Sequence, residues 1–242
     1  MRYILKVSYD GSGYSGFQIQ NNKITVQSEL EKALGTVLKT DIKIVASGRT
    51  DAEVSAIEQI CHFDVDKELD RGILGYINVL LPDKISVISI EHTSDEFHAR
   101  YSARQKTYEY YFYIDSRIPI YERIAVNIGY NINIKGMQDA CKCLIGEYDF
   151  TSFCSSNTSV QNKVRTIYNA EIIQIDINLY KLVITGNGFL YNMVRIIMGT
   201  LVDVGLNKIK SNDIVKIINS KDRSKAGKTM PAKGLYLKKV TY

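Results

Sequence analysis

The sequence predicts an α+β protein made of two tandem ferredoxin-like (βαββαβ, RRM-like) domains, with an active-site cleft between their sheets. Segments of strand type and amphipathic helices follow one another in the order β-α-β-β-α-β, and the second half of the chain repeats this order. The length of 242 residues suits two domains, and we place the boundary near Ala103, which gives domains at residues 1–103 and 104–242.

The first half is expected to contain four strands rich in β-branched or aromatic residues, at residues 2–9, 42–46, 59–65 and 85–91. Residues 25–39 are expected to form a helix, because their apolar side chains make one stripe and Thr25 is a suitable N-cap. A second helix is expected over residues 69–80, ending before Pro82.

The second half is expected to contain four strands, the middle two forming a hairpin near Asn178, at residues 106–114, 164–177, 180–186 and 235–241. Three helices are expected at residues 134–145, 190–204 and 211–218. Gly146 is a candidate C-cap for the first of these helices.

The composition narrows the class of protein. A hydrophobic fraction of 45% and a charged fraction of 24% exclude a disordered or collagen-like chain. No run of about 18 apolar residues is present, so we expect no membrane span. Residues 1–6 alternate in polarity and do not resemble a secretory signal, so a cytoplasmic location is expected.

The charge is distributed unevenly between the two halves. Residues 1–103 carry 11 basic and 15 acidic side chains, whereas residues 104–242 carry 20 and 11. A basic half suggests a polyanionic partner, because each cation that neutralises a phosphate releases counterions. A solvated basic surface would give the same count.

The four cysteines form no C-x-x-C pair, and the three histidines do not bracket them at zinc-finger spacing. We therefore expect free, buried or half-buried thiols and no metal site.

The segment Ser47-Gly48-Arg49-Thr50-Asp51 is the strongest candidate site. It follows an apolar strand, and Gly48 permits a tight turn. In extended chain Arg49 and Asp51 share one side. Asp51 is then either part of a structural Asp–Arg pair or Asx-turn, or a nucleophile or base kept ionised by a cation. Local spacing does not separate these alternatives.

A series of motifs runs along the whole chain. The first three are the Y-D-G opening, the T-V-Q helix and the G-R-T-D motif, followed by N-x-L-L-P-D, F-H-A-R, the aromatic strand, G-x-x-D-F, F-L-x-x-M-V-R and the A-G-x-T terminal motif. They lie at residues 9–18, 25–34, 48–51, 78–83, 97–103, 106–110, 146–153, 189–195 and 226–237. In kind and order these motifs resemble those of the tRNA pseudouridine synthase A (TruA) family.

The resemblance implies that the chain isomerises uridine to pseudouridine in the anticodon stem-loop of tRNA. This reaction needs no cofactor or metal, because it involves no net redox change. By the family pattern Asp51 is the nucleophile and Arg195 its basic partner. Tyr108 matches the active-site tyrosine that binds the substrate base, and Arg49 is expected to assist base flipping.

Purely structural roles are the alternative for these residues. Arg195 could be a snorkelling surface residue on its apolar helix, and the aromatic residues of the strand at 106–114 could serve in packing alone. We favour packing for residues 110–113 but not for Tyr108. A run of charged residues is more often a solvated loop. RNA backbone contacts are nevertheless expected from five cations of the second half: Lys163, Arg165, Arg223, Lys225 and Lys228. The family is typically homodimeric, which the resemblance carries to this chain.

The sequence departs from the family pattern after the G-R-T-D motif. Glu53 replaces a glycine and Ser55 a histidine, and Lys228 stands where proline is common. A positive φ at Glu53 would cost about 1 kcal/mol or more. Two alternatives therefore stay open within the family, a non-catalytic and a retargeted RNA-binding paralogue. Outside it, the Asp–Arg pair would also suit a small-molecule enzyme.

Overall fold

The computed structural model describes residues 1–156, 158 and 160–242. Backbone contacts divide the chain into two compact units: unit 1 is Met1–Arg104 with Tyr236–Tyr242, and unit 2 is Gln105–Leu235. Unit 1 carries 14 basic and 15 acidic side chains, and unit 2 carries 17 and 11. The basic excess of the sequence therefore belongs to unit 2.

Unit 1 has the ferredoxin-like strand arrangement. Its elements are β1 (Arg2–Tyr9), α1 (Val26–Leu38), β2 (Val45–Ala46), β3 (Ser55–Asp64), α2 (Ile73–Leu80) and β4 (Ile85–Thr93). The strand order is β4-β1-β3-β2 with every neighbour antiparallel. The final strand of the chain, β10 (Leu235–Thr241), runs parallel to the start of β3. The predicted α+β class is thus confirmed in this unit.

Local sequence explains how unit 1 folds. Alternate residues of β1 are buried and the others are partly exposed, which is the period-2 pattern of a strand with one covered face. Thr25 caps α1 as predicted: its hydroxyl accepts from Ser28 N at 3.2 Å, and Ser28 Oγ accepts from Thr25 N at 3.1 Å.

Three boundaries in unit 1 were predicted incorrectly. The strand expected over residues 42–46 pairs only at Val45–Ala46. The strand expected from residue 59 begins at Ser55, because Ser55 and Ala56 pair with β10 and Ala56 also pairs with β1. The helix expected from residue 69 begins at Ile73, after a charged stretch that ends in Gly72.

Unit 2 contains β5 (Gln105–Tyr113), β6 (Val126–Asn127), α3 (Ile134–Lys142), β7 (Gly146–Asp149), β8 (Val164–Asp176), β9 (Leu179–Gly186), α4 (Met193–Gly205) and α5 (Asp213–Ser220). Its strand order is β5-β9-β8-β7, all antiparallel, with β6 parallel to β5. The predicted hairpin is confirmed, and Asn178 turns it with a φ of +62°.

Two features of unit 2 differ from the prediction. Gly146 is not the C-cap of α3, because that helix ends at Lys142 with Cys143 as its cap, and Gly146 begins β7. The two short strands β6 and β7 were not predicted. The helices expected from residues 190 and 211 begin at Met193 and Asp213.

The core of unit 2 includes the aromatic strand β5. Tyr110, Phe112 and Tyr113 have no exposed surface, which confirms the packing role predicted for them. All four cysteines are free thiols as expected, three of them buried and Cys143 half-buried. Within the described residues, no helix has the length and apolar character needed to cross a membrane.

Candidate active site

The Asp51 loop is the connection between β2 and β3 in unit 1, and its first residues are fixed to β3. The Ser47 hydroxyl donates to Gln59 Oε1 at 2.6 Å, and Gln59 Nε2 donates to the Gly48 carbonyl at 3.0 Å. Ser47 N donates to the Ile60 carbonyl at 2.7 Å. Ser47 and Gln59 are fully buried, so these hydrogen bonds are shielded from water.

Thr50, the residue directly before Asp51, is also held by hydrogen bonds. Thr50 Oγ1 and the Tyr9 hydroxyl share a hydrogen bond of 2.8 Å, and the Thr50 carbonyl accepts from Phe17 N at 3.1 Å. Gly16, with a φ of +96°, lies so close that an added Cβ would be 2.8 Å from the Thr50 carbonyl oxygen. Asp51 is therefore half-buried on a backbone that is anchored from two directions.

Glu53 has the left-handed conformation that the sequence analysis anticipated for a glycine position. Its φ is +64°, its side chain is exposed, and its backbone N donates to the Tyr14 carbonyl at 3.3 Å. Ser55 is different, because it is buried and its Oγ accepts from Gly11 N at 3.0 Å. These two departures from the family pattern, both close to Asp51, thus have different surroundings.

Arg49 is exposed, so its guanidinium is accessible to a ligand that approaches the loop. Arg49 and Asp51 come from one loop of unit 1, whereas Arg195 and Tyr108 belong to unit 2.

Arg195 lies in the first turn of α4 and is half-buried. Its Nε donates to the Met230 carbonyl at 2.6 Å, and its Nη1 donates to Asn192 Oδ1 at 2.7 Å. Asn192, the N-cap residue of α4, also donates from Nδ2 to Ser155 Oγ at 2.9 Å. The side chain is thus fixed by hydrogen bonds on its own unit, unlike a snorkelling surface arginine.

Tyr108 lies on β5 opposite Ile184 of β9 and is half-buried. Its ring meets the ring of Phe189 edge to face, with centroids 5.1 Å apart. Tyr110 on the same strand differs, since its hydroxyl donates to the Pro231 carbonyl at 2.8 Å and burial raises its pKa. The hydroxyl of Tyr110 is therefore engaged in the fold of unit 2.

The five cations expected to contact RNA have different environments. Lys225 and Lys228 are exposed, and Lys163 is half-buried. Arg165 Nη1 donates to the carbonyls of Asn162 and Val164 at 3.0 and 2.6 Å, and burial lowers the pKa of its guanidinium. The Arg223 guanidinium donates to backbone carbonyls of its own loop.

Several residues that shape the site were not predicted from the sequence. Gln59 and Asn192 are polar residues inside segments that read as strand and helix, and this polarity is the one signal that pointed to them. Met230 contributes through its carbonyl oxygen, which leaves no trace in the residue pattern. Among the described residues, no group of three or more His, Cys, Asp or Glu side chains is arranged to hold a metal ion.

A family model described as tRNA pseudouridine synthase matches residues 6–102 and 140–242. The chain belongs to the tRNA pseudouridine synthase family. It is 46% identical over 246 residues to the tRNA pseudouridine synthase A of Bacillus subtilis (strain 168), an alignment that covers 100% of this chain and 99% of the relative. The tRNA pseudouridine synthase A of Caldicellulosiruptor bescii is 43% identical over 242 residues, covering 99% of this chain and 98% of the relative.

The similarity to solved structures is weaker. A crystal structure of a Cbf5-Nop10-Gar1 complex aligns with 98% of this chain and 57% of that chain, at 11% identity and a TM-score of 0.36.

Proposed function

We propose that this member of the family isomerises uridine to pseudouridine in the anticodon stem-loop of tRNA, with Asp51 as the nucleophile. One observation carries the proposal: the G-R-T-D motif lies on a firmly anchored loop of a chain that is 46% identical, along its whole length, to a tRNA pseudouridine synthase A. The family membership supports an isomerase acting on RNA.

The reaction rearranges bonds without gaining or losing electrons. The C1′–N1 glycosidic bond of uridine breaks, the base turns, and a C5–C1′ bond forms. C5 then loses its proton and N1 holds one, so the product has the same atoms as the substrate. Asp51 must be ionised whether it attacks the ribose or the base. A rigid loop reduces the entropy that the carboxylate loses on reaching the reactive geometry.

The other residues receive roles that follow from their chemistry. A cation opposes the rise in carboxylate pKa that burial beneath a bound base would cause, and we assign this role to Arg195. Tyr108 offers a ring on which the flipped uracil can stack, a contact of about 1–3 kcal/mol. We assign to Arg49 the role of occupying the position of the extruded base or holding a phosphate, which its exposure supports.

The remaining expectations concern partners and location. We propose that tRNA contacts the exposed cations of unit 2, that the protein acts as a homodimer like other members of the family, and that it works in the cytoplasm. The excess of basic residues in unit 2 supports the first of these.

The test uses an unmodified tRNA transcript labelled with tritium at C5 of uridine. Wild-type protein is expected to release tritium, and Asp51→Asn is expected to release none while retaining tRNA binding. Glu53→Gln, which removes a carboxylate two residues further along the same loop, serves as the matched control and is expected to keep kcat.

Three other outcomes of these experiments would each contradict part of the proposal. Release by Asp51→Asn would refute the nucleophile assignment. Tight tRNA binding by the wild type without release would favour a non-catalytic paralogue. Pseudouridine mapping that finds products only outside the anticodon stem-loop would indicate a retargeted enzyme.

A further inference from the structure

The segment of residues 226–230 in unit 2 is held at both ends by arginine side chains. It follows the turn of 3-10 helix at Arg223–Lys225 and leads towards β10. The sequence predicts one group of RNA contacts among the cations of this region. The structure separates them.

Arg223 binds the beginning of the segment. Its Nη1 donates to the carbonyls of Ala226 and Gly227 at 3.2 and 2.9 Å, and its Nη2 donates to Thr229 Oγ1 at 3.3 Å. A guanidinium offers several N–H groups in one rigid plane, so it can join three acceptors along a loop. The half-buried Arg223 side chain is thereby engaged with its own backbone.

The middle of the segment lies directly on α4. Gly227 N donates to Thr200 Oγ1 at 2.9 Å, and this hydroxyl donates to the Ile196 carbonyl at 2.9 Å. The backbones are in close contact, because a Cβ on Gly199 would overlap the Lys228 carbonyl oxygen. Thr200 is fully buried.

The end of the segment binds Arg195 in both directions. Met230 N donates to the Arg195 carbonyl at 3.2 Å, and Arg195 Nε donates to the Met230 carbonyl at 2.6 Å. The direction of the Arg195 guanidinium therefore depends on where the Met230 carbonyl lies. Arg223 and Thr200 hold the preceding residues of the same segment, at positions 226, 227 and 229.

We infer that Arg223 is a positioning residue for Arg195, and that it acts through residues 226–230 rather than through contact with RNA. The inference rests on the proposed role of Arg195 in the reaction. A small displacement of a charged group from its productive position is enough to lower the rate of the chemical step by about 100-fold. Loss of Arg223 would therefore lower kcat and leave the KM for tRNA nearly unchanged.

The experiment compares Arg223→Ala and Arg223→Lys in the tritium-release assay. We expect both variants to lower kcat by about 10- to 100-fold with less than about a 2-fold change in KM. Lysine is expected not to rescue, because a single ammonium cannot replace the fork that joins two carbonyls and a hydroxyl. Recovery of activity in Arg223→Lys would show that charge alone matters and would overturn the inference.

Thr200→Val is the matched variant, since it removes the hydroxyl that binds the same segment and the buried side chain cannot contact RNA. It is expected to reproduce the loss of kcat. Lys225→Ala and Lys228→Ala provide the contrasting pattern, a higher and salt-dependent KM with nearly normal kcat. If Arg223→Ala follows that pattern, Arg223 is an RNA contact and the inference is wrong.

A second measurement does not depend on turnover. Hydrogen exchange at the amides of Gly227 and Met230, both bonded to α4 residues, is expected to accelerate in Arg223→Ala. Unchanged exchange at these amides would refute the positioning role even if the wild type released no tritium. Absence of release by the wild type would count against the proposed function instead, so the two failures are distinguishable.

Discussion

Glu53 has a backbone conformation that glycine adopts more easily than any other residue. Its φ of +64° costs about 1–2 kcal/mol for a residue with a Cβ. Glycine avoids this cost but loses about 0.5–1 kcal/mol through the larger entropy of its unfolded chain. The hydrogen bond from residue 53 N to the Tyr14 carbonyl is retained, because glycine has the same N–H. Glu53→Gly should therefore raise the free energy of unfolding by about 0.5–1 kcal/mol.

Urea denaturation and thermal unfolding measure this change. For a chain of this size, the expected stabilisation corresponds to an increase in Tm of about 1–4 °C. Glu53→Gln keeps the strained conformation and is expected to leave Tm unchanged. Glu53→Asn is expected to lie between the two, since asparagine tolerates the left-handed region better than glutamine. A Glu53→Gly protein no more stable than Glu53→Gln would refute the reasoning.

The same variants separate strain from charge. Glu53 is exposed and lies two residues from Asp51, where tRNA phosphates are expected to approach. Glu53→Gln and Glu53→Gly both remove this negative charge, so both should lower the KM for tRNA at low salt by about 2- to 5-fold. The effect should disappear at high salt. A fall in KM with glycine alone would assign it to the backbone.

Two further predictions concern RNA binding and pH. Lys225→Ala and Lys228→Ala should each weaken tRNA binding and reduce the slope of log Kd against log salt by about 1. Lys32→Ala, which removes an exposed cation on α1 of unit 1, should do neither. Equal effects from all three variants would contradict the proposal that tRNA contacts the exposed cations of unit 2. Burial lowers the pKa of His62 to about 4 from its ordinary 6.5, and His62 Nδ1 accepts from Ala99 N. The unfolded state then binds the proton first, so the free energy of unfolding should fall by up to about 3 kcal/mol as pH drops from 6.5 to 4. His62→Asn, which keeps an acceptor, should flatten this dependence in urea titrations; an unchanged slope would show that His62 is not its source.

Long periodic segments were predictable from the sequence because their own residues decide their structure. The apolar stripe and capping threonine define α1, and alternation defines β1. The incorrect predictions concern segments whose structure depends on a neighbouring strand. Val126–Asn127 is a strand only because β5 lies beside it, and residues 55–58 join β3 because of their neighbours β1 and β10. No local pattern contains that information.

The candidate site shows the same limit. Asp51, Arg195 and Tyr108 were predicted as site residues because their motifs resemble those of a family, whereas local chemistry alone left their roles open. Arg223 and Lys225 are equivalent cations in the sequence of one charge run. In the structure Arg223 donates to two backbone carbonyl oxygens and one hydroxyl oxygen, whereas Lys225 is exposed. Charge can be counted from a sequence, but the acceptor that a charge reaches depends on the fold.

The two departures from the family pattern near Asp51 therefore do not carry equal weight for substrate choice. Ser55 is 7% exposed and its hydroxyl links β3 to Gly11, so it acts on the fold of unit 1 and does not offer a surface to RNA. Glu53 is exposed and charged, so of the two residues it is the one that can interact with a bound nucleic acid. A shift in target would then follow from residue 53 rather than residue 55. Glu53→Gly should change the pattern of modified uridines if such a shift exists, while Ser55→Ala should change stability alone.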